Sequence, residues 1–271
     1  MDSCVIRTNH LARHFDQVRA VDDISFEVPQ GIVFGFLGPN GSGKTTTIRL
    51  LLGLLEPTAG QALVLGLDTC SQADAIRQRC GALLEYTGLY ERLSAEENLE
   101  YYGRVWRLAP AQRQERIRQL LGNLGLYDRR KEIVGGWSRG MKQKLAVARV
   151  LLHQPDLVFL DEPTSGLDPV AAAALREDLA TLAQQHGVTV FLTTHNLAEA
   201  EKLCSQVAVI RQGKLLAQGS PDQLRMGGQN RLEVVGRNFT SAMLDELRLR
   251  PEVSSVDNEN SHLILQLNGD P

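Results

Sequence analysis

Eight consecutive residues, Gly38-Pro39-Asn40-Gly41-Ser42-Gly43-Lys44-Thr45, constrain the fold of this chain more than any other segment. They lie between an apolar run, Ile32 to Leu37, and a helically patterned run, Thr46 to Leu55. The sequence therefore predicts a buried strand, a tight glycine turn and a helix, in that order. Gly38, Gly41 and Gly43 allow the backbone to turn so that successive N–H groups cradle phosphate oxygens, with Pro39, Asn40, Ser42 and Thr46 part of the same phosphate-binding run. Lys44 neutralises phosphate charge and the Thr45 hydroxyl is placed to ligate Mg²⁺. A helix N-terminus pointing at the same spot favours an anion. Together these features predict a nucleoside-triphosphate site.

The rest of the chain supplies an α/β frame for that turn. Val5 to Phe15 and Ile24 to Val28 alternate as antiparallel strands do, and Gln61 to Leu65 is a further strand set off by Gly60 and Gly66. Ala95 to Leu124 has helical spacing, with Pro110 opening a second helix, so this stretch reads as an all-helical insert. Helix Gly140 to Leu152, strand Leu157 to Leu160, helix Val170 to Gln185, strand Val188 to Thr193, helix Leu197 to Leu203 and strands Val207 to Ile210 and Lys214 to Ala217 follow. Buried apolar strands alternating with helices predict a parallel sheet covered on both faces. Past Gly219-Ser220-Pro221 the pattern changes to strands Leu232 to Val235 and His262 to Leu267 around a helix near Ser241 to Leu249, read as a small α+β appendage. The expected division is a domain over 1–220, with its helical subdomain over about 86–150, and an appendage over 221–271.

With 271 residues, 43% of them apolar, the chain can bury a large core. A net charge of −3 gives no electrostatic case for a nucleic-acid partner. Cys4, Cys70, Cys80 and Cys204 form no Cys-x-x-Cys pair, which argues for neither a disulfide framework nor a zinc site and suits a reducing cytoplasm. No run approaches the roughly 20 apolar residues of a membrane span. The opening residues, with Asp2, Arg7 and Arg13, lack the apolar stretch of a secretion signal.

Ligands of open parallel sheets bind beyond the C-terminal strand ends, so polar residues that end apolar strands are candidates for chemistry. Leu157 to Leu160 runs into Asp161-Glu162: Asp161 would hold Mg²⁺ and Glu162 would polarise the water attacking the terminal phosphate. Val188 to Thr193 runs into Thr194-His195, and His195 would contact the terminal phosphate or steady that water. Ala82-Leu83-Leu84 ends in Glu85, either a further water-mediated metal contact or a solvated turn residue.

With these motifs in this order, the chain resembles the nucleotide-binding subunit of ATP-binding-cassette (ABC) transporters over about residues 5–220. Trp137-Ser138-Arg139-Gly140-Met141 stands where that family carries Leu-Ser-Gly-Gly-Gln, and Ser165-Gly166-Leu167-Asp168 matches the family's interface loop. The resemblance implies a P-loop NTPase with a RecA-like parallel core, an antiparallel β subdomain and an α-helical subdomain. It also implies ATP and Mg²⁺ as cofactors, with Lys44 and Glu162 in catalysis. Ser138 and the N–H of Gly140 would face ATP held by a second nucleotide-binding subunit, identical or not, although an ordinary serine N-cap is the local alternative. Phe15 matches the adenine-stacking aromatic, with a core aromatic as the alternative, and Glu85 occupies a position usually held by glutamine. An integral membrane permease would be the other partner, at the cytoplasmic face of the cell membrane. The variant signature and the appendage look like the branch exporting drugs, antibiotics and lipids.

Two rival functions remain at this level. Soluble ABC ATPases of DNA repair or translation carry long coiled-coil or zinc inserts or a second cassette, and the stretch from Lys44 to Ser138 contains no heptads or paired cysteines. A module that holds ATP without hydrolysing it would more plausibly have lost Glu162.

Overall fold

The computed structural model describes residues 4–227, 231–236, 239–259 and 262–267; the tail Asn268 to Pro271 and Asp2 lie outside them. Two units separate at Gln218/Gly219.

In the larger unit β1 (Cys4–Phe15) carries an antiparallel sheet, with β2 (Val18–Ile24) and β3 (Glu27–Pro29) pairing end to end along one of its edges. The strand expected from Ile24 to Val28 is thus two strands. Asp23 adopts φ 59° and the chain breaks at Ser25-Phe26, where the Thr8 hydroxyl accepts from Phe26 N at 2.9 Å. The break lets the Phe26 ring turn into the core.

The wholly buried β4 (Val33–Leu37) then leads through the glycine turn into α1 (Lys44–Leu51). This helix is shorter than its apolar pattern suggests, because Gly53 at φ 61° ends it and the amides of Leu54 and Leu55 turn back to Arg49 O. β5 (Ala59–Val64) returns to the free edge of β1 and continues into β6 (Leu67–Asp68). α2 (Ala73–Arg79) follows; it buries only Ile76, too little periodicity for the sequence to announce it. β7 (Cys80–Leu83) opens onto the helical segment, α3 (Ala95–Val105), α4 (Pro110–Asn123) and α5 (Arg139–Leu151). A reciprocal cap starts α3, with Ser94 accepting from Glu97 N and Glu97 accepting from Ser94 N. Inside the segment Arg113, 9% exposed, forks onto Glu100 at 2.7 and 2.8 Å, which holds the Glu100 carboxyl below the usual range.

β8 (Leu157–Asp161), α6 (Pro169–His186), β9 (Thr189–Thr194), α7 (Leu197–Leu203), β10 (Gln206–Arg211) and β11 (Lys214–Gly219) complete a six-stranded sheet ordered β11-β10-β4-β9-β8-β7. Its strands from β10 to β7 are parallel, so β4 and its turn sit in the middle of the sheet with β8 and β9 ending beside them. The chain order places the phosphate turn at the point where connections leave the sheet in opposite directions, where ligands of such folds bind. Beneath it, Phe191 packs 5.5 Å from each of Phe34, Phe36 and Phe159 and 6.3 Å from Phe26.

The smaller unit begins with α8 (Pro221–Gly227). It holds a three-stranded sheet, β12 (Arg231–Val235), β14 (His262–Leu267) and β13 (Val253–Glu259) in that spatial order, with α9 (Ser241–Arg248) between β12 and β13 in sequence. β13 was not expected: Val253 and Val256 alone give it too few apolar positions for an alternating pattern. It forms because β14 offers it an antiparallel partner from Val253 to Glu259. Val256, Leu263 and Leu265 form this unit's core, with Phe239, Leu244 and Leu247 packed on them.

Phe191→Ala would remove a fully buried ring from four aromatic neighbours. The expected loss is about 3–5 kcal/mol, read as a lower urea midpoint. A loss under about 1 kcal/mol would show that this cluster does not hold the sheet.

Candidate functional site

The turn between β4 and α1 is closed by its own backbone and by neighbours from both sheets. Gly43 sits at φ 106°, and a Cβ there would lie 2.2 Å from Ala20 O in β2. A Cβ on Gly38 would lie 2.3 Å from Ile210 O in β10. Only glycine fits at these two points. α1 has no side-chain cap and no acidic residue in its first turn, so its N-terminal amides and the Lys44 ammonium make one positive pole. Lys44, 6% exposed, donates to Gly38 O at 2.7 Å and Pro39 O at 3.2 Å and stands 3.1 Å from Glu162 Oε1. Ser42 Oγ is buried and has no hydrogen-bond partner among the described residues.

The strand ends bring up the acids. Thr45 Oγ1 donates to Asp161 Oδ2 at 2.6 Å, while the Thr193 hydroxyl donates to Asp161 Oδ1. Glu162 leaves β8 in the left-handed region at φ 49°, where a non-glycine residue is strained by about 1–3 kcal/mol. Its amide is held by Thr193 Oγ1 at 3.0 Å and by Thr193 O at 3.2 Å. His195 Nδ1 lies 2.7 Å from Glu162 Oε2. These residues surround a cleft of about 390 Å³ lined by Val18, Arg19, Ala20, Asn40, Gly41, Gly43, Lys44, Thr45, Thr46, Asp161, Glu162 and Gln212.

Of the residues singled out in the sequence, Asn40, Gly41, Gly43 to Thr46, Asp161 and Glu162 line this cleft; Gly38, Pro39 and Ser42 belong to the same turn outside the lining, and His195, also outside it, reaches the site through Glu162. Phe15 is outside the lining, but it pairs in register with Val18, which is part of it. At 39% exposure Phe15 is not a core aromatic, and the Arg13 guanidinium covers one face at 4.6 Å. Glu85 is also outside the lining, and its half-exposed carboxylate pairs with Arg49 of α1 at 3.1 Å. Ser138 caps α5, accepting from Met141 N at 3.3 Å, and stays exposed with Gly140 just inside the helix. Met141 Sδ accepts from Arg129 at 3.3 Å.

Sequence reading missed Val18 to Ala20, Gln212 and Thr193. Gln212 and Gly213, at φ 51° and 78°, form the two-residue turn joining β10 to β11, a hairpin signal in the sequence. Nothing local marks the others as site residues.

A second concavity, about 460 Å³, runs beside β7 and α5 and is lined in part by Leu52, Leu54, Tyr86, Trp106, Arg149 and His153. The His153 ring stacks on Trp106 at 3.7 Å and 6°. Burial pushes the His153 imidazole below its ordinary value, so it is neutral at pH 7. Tyr86 is 84% exposed at the rim.

The profile of the family described as "ABC transporter" matches residues 21–165. Among relatives, the bacitracin transport ATP-binding protein BcrA of Bacillus licheniformis is 39% identical over 231 residues, 85% of this chain and 74% of that protein. The daunorubicin/doxorubicin resistance ATP-binding protein DrrA of Streptomyces peucetius is 36% identical over 266 residues, 98% of this chain and 78% of that protein. The solved structure of cbiO1 from Clostridium perfringens, part of the ABC transporter complex cbiONQ, superposes with a TM-score of 0.77 at 22% identity, over 92% of this chain and 96% of that one. At that identity it shows the fold alone.

Thr193→Val would leave Asp161 Oδ1 without its donor. The expected cost is about 1–3 kcal/mol in urea unfolding, with Thr193→Ser within about 1 kcal/mol of the parent. Equal losses for both variants would remove the hydroxyl from this role.

Proposed function

The chain belongs to the ABC transporter family, as an ATP-binding subunit, and on that premise we propose that it hydrolyses ATP between two nucleotide-binding subunits to drive export through a separate permease. The observation that carries this reading is the convergence of Lys44, Thr45, Asp161, Glu162 and His195 on one cleft at the C-terminal ends of the parallel strands.

Thr45 Oγ1 and Asp161 Oδ2 are two hard oxygen donors at one edge of the cleft. They suit a Mg²⁺ ion, which takes one or two protein oxygens and completes its shell with phosphate and water. When bound, the ion would neutralise charge on the phosphate oxygens. Glu85 would reach such an ion only through water and only after leaving Arg49. Lys44 and the α1 amides hold the phosphates in place. Glu162 takes the proton of the attacking water, with Oε1 facing Lys44 and Oε2 steadied by His195. Thr193 fixes both acids by gripping the Asp161 carboxylate and the Glu162 amide.

The exposed Ser138 hydroxyl and the amide of Gly140, at the start of α5, suit the terminal phosphate of ATP held by a second subunit. Phe15 stands beside Val18 at the rim, ready for the adenine. Loss of the terminal phosphate would release the partner, since a ligand drives a switch only through contacts that differ between the two states. The groove of Leu54, Tyr86 and the Trp106–His153 stack suits an apolar segment of the permease. Among the described residues no helix is long and apolar enough to cross a membrane, in keeping with a peripheral subunit at the cytoplasmic face. Export is supported by the transport and drug-resistance roles named for the two relatives above.

Glu162→Gln is expected to lower ATP turnover about 10²- to 10⁴-fold while ATP still binds and a dimer accumulates on size exclusion. Normal turnover by this variant would remove Glu162 from the role of base. Tyr86→Asp is expected to abolish co-purification with the permease and leave ATP binding intact; retention of the permease would place the docking surface elsewhere.

A further inference from the structure

Arg139 stands where the family signature has a glycine, and its side chain has a definite place. A Cβ built on Gly166 would fall 2.2 Å from Arg139 Nη1, 2.4 Å from Cζ and 2.8 Å from Nη2. The guanidinium therefore lies flat against the bare Cα of Gly166, which is itself in the left-handed region at φ 69°. Arg139 makes no ion pair or side-chain hydrogen bond among the described residues; its close neighbour is a peptide surface that only glycine leaves open.

Gly166 belongs to the turn that starts at Glu162. Ser165 N donates to Glu162 O at 3.0 Å and Leu167 N to Thr164 O at 3.1 Å. Thr164 Oγ1 donates to Glu199 Oε2 at 2.6 Å, and Asp168 caps α6. The same face of α5 holds α6 at two more points. A Cβ on Gly140 would come within 3.0 Å of Ala171 Cβ, and Lys144 pairs with Asp178 at 2.9 Å. The Ser138-Arg139-Gly140 segment and the turn carrying Glu162, with α6 after it, are thus in direct contact within a single subunit.

We infer that Arg139 is a positioning residue: by covering Gly166 it fixes the turn from Glu162 to Asp168 against the N-terminus of α5, so that the signature and the base move together. This rests on the reading of Glu162 as the base. A clamp of this kind acts on the geometry of the attack and not on the phosphate loop, so its loss should lower kcat and leave KM for ATP unchanged.

The test is steady-state ATP hydrolysis by the full-length chain carrying Arg139→Gly, Arg139→Lys, Gly166→Ala and Arg139→Gly with Gly166→Ala, beside Glu162→Gln. Arg139→Gly should lower kcat about tenfold, the size expected for a contacting pair, at unchanged KM and unchanged thermal midpoint, because the side chain is exposed. Arg139→Lys should recover less than half of that loss, since an ammonium has no planar face to lay on the peptide. Gly166→Ala should lose at least as much, and the double variant should be no slower than Gly166→Ala alone. Wild-type kcat in Arg139→Gly, a loss confined to KM, full recovery by lysine, or independent multiplication of the two defects would each overturn the inference. Failure of the underlying reading is separate: it would appear as normal turnover by Glu162→Gln.

Discussion

Two backbone approaches hold this structure together at its centre. The turn after β4 passes Ile210 O at Gly38 and Ala20 O at Gly43, too close for any side chain. Ile210 belongs to the parallel sheet and Ala20 to the antiparallel one, so the turn is the seam between the two sheets. Backbone bonds across it, Gly213 N to Ser42 O at 3.1 Å and Asp22 N to Gly213 O at 2.8 Å, tie the β10–β11 hairpin and β2 to the same place. The cleft lining from Val18 to Ala20 and at Gln212 follows directly from this seam.

The second element of the site is the pair of strand ends beside the turn. β8 and β9 finish level with β4, so Asp161 and Thr193 lie in register. One buried hydroxyl, Thr193 Oγ1, then serves both acids. The strained backbone of Glu162 is maintained because its amide has two acceptors on the neighbouring strand. Without that support the carboxylate would not face Lys44 and His195 together.

Much of this was legible along the chain because the signals are local. The phosphate turn is contiguous, and the apolar runs of β4, β8 and β9 end abruptly in polar residues. The helical insert shows itself through its period and Pro110. Less local features were not. Ile24 to Val28 alternates like one strand but splits at Phe26, since the aromatic cluster around Phe191 draws that ring inward. β13 is a strand by virtue of β14. The strand expected to run from Ala82 into Glu85 stops at Leu83, and Glu85 lies two residues beyond it, where Arg49 claims its carboxylate from a helix that the strand pattern does not mention.

The sequence by itself determined that a glycine turn with lysine and threonine would sit between strand and helix, and that acids would terminate buried strands. Those are properties of neighbouring residues, where steric freedom and hydrophobic period act directly. Only the tertiary structure decided that Ala20 and Ile210 would press on the turn, that Thr193 would hold Asp161 and Glu162, and that Arg139 would cover Gly166. Each of these contacts joins residues more than twenty apart, and they meet because strand order and helix packing place them together, which no single stretch of sequence encodes.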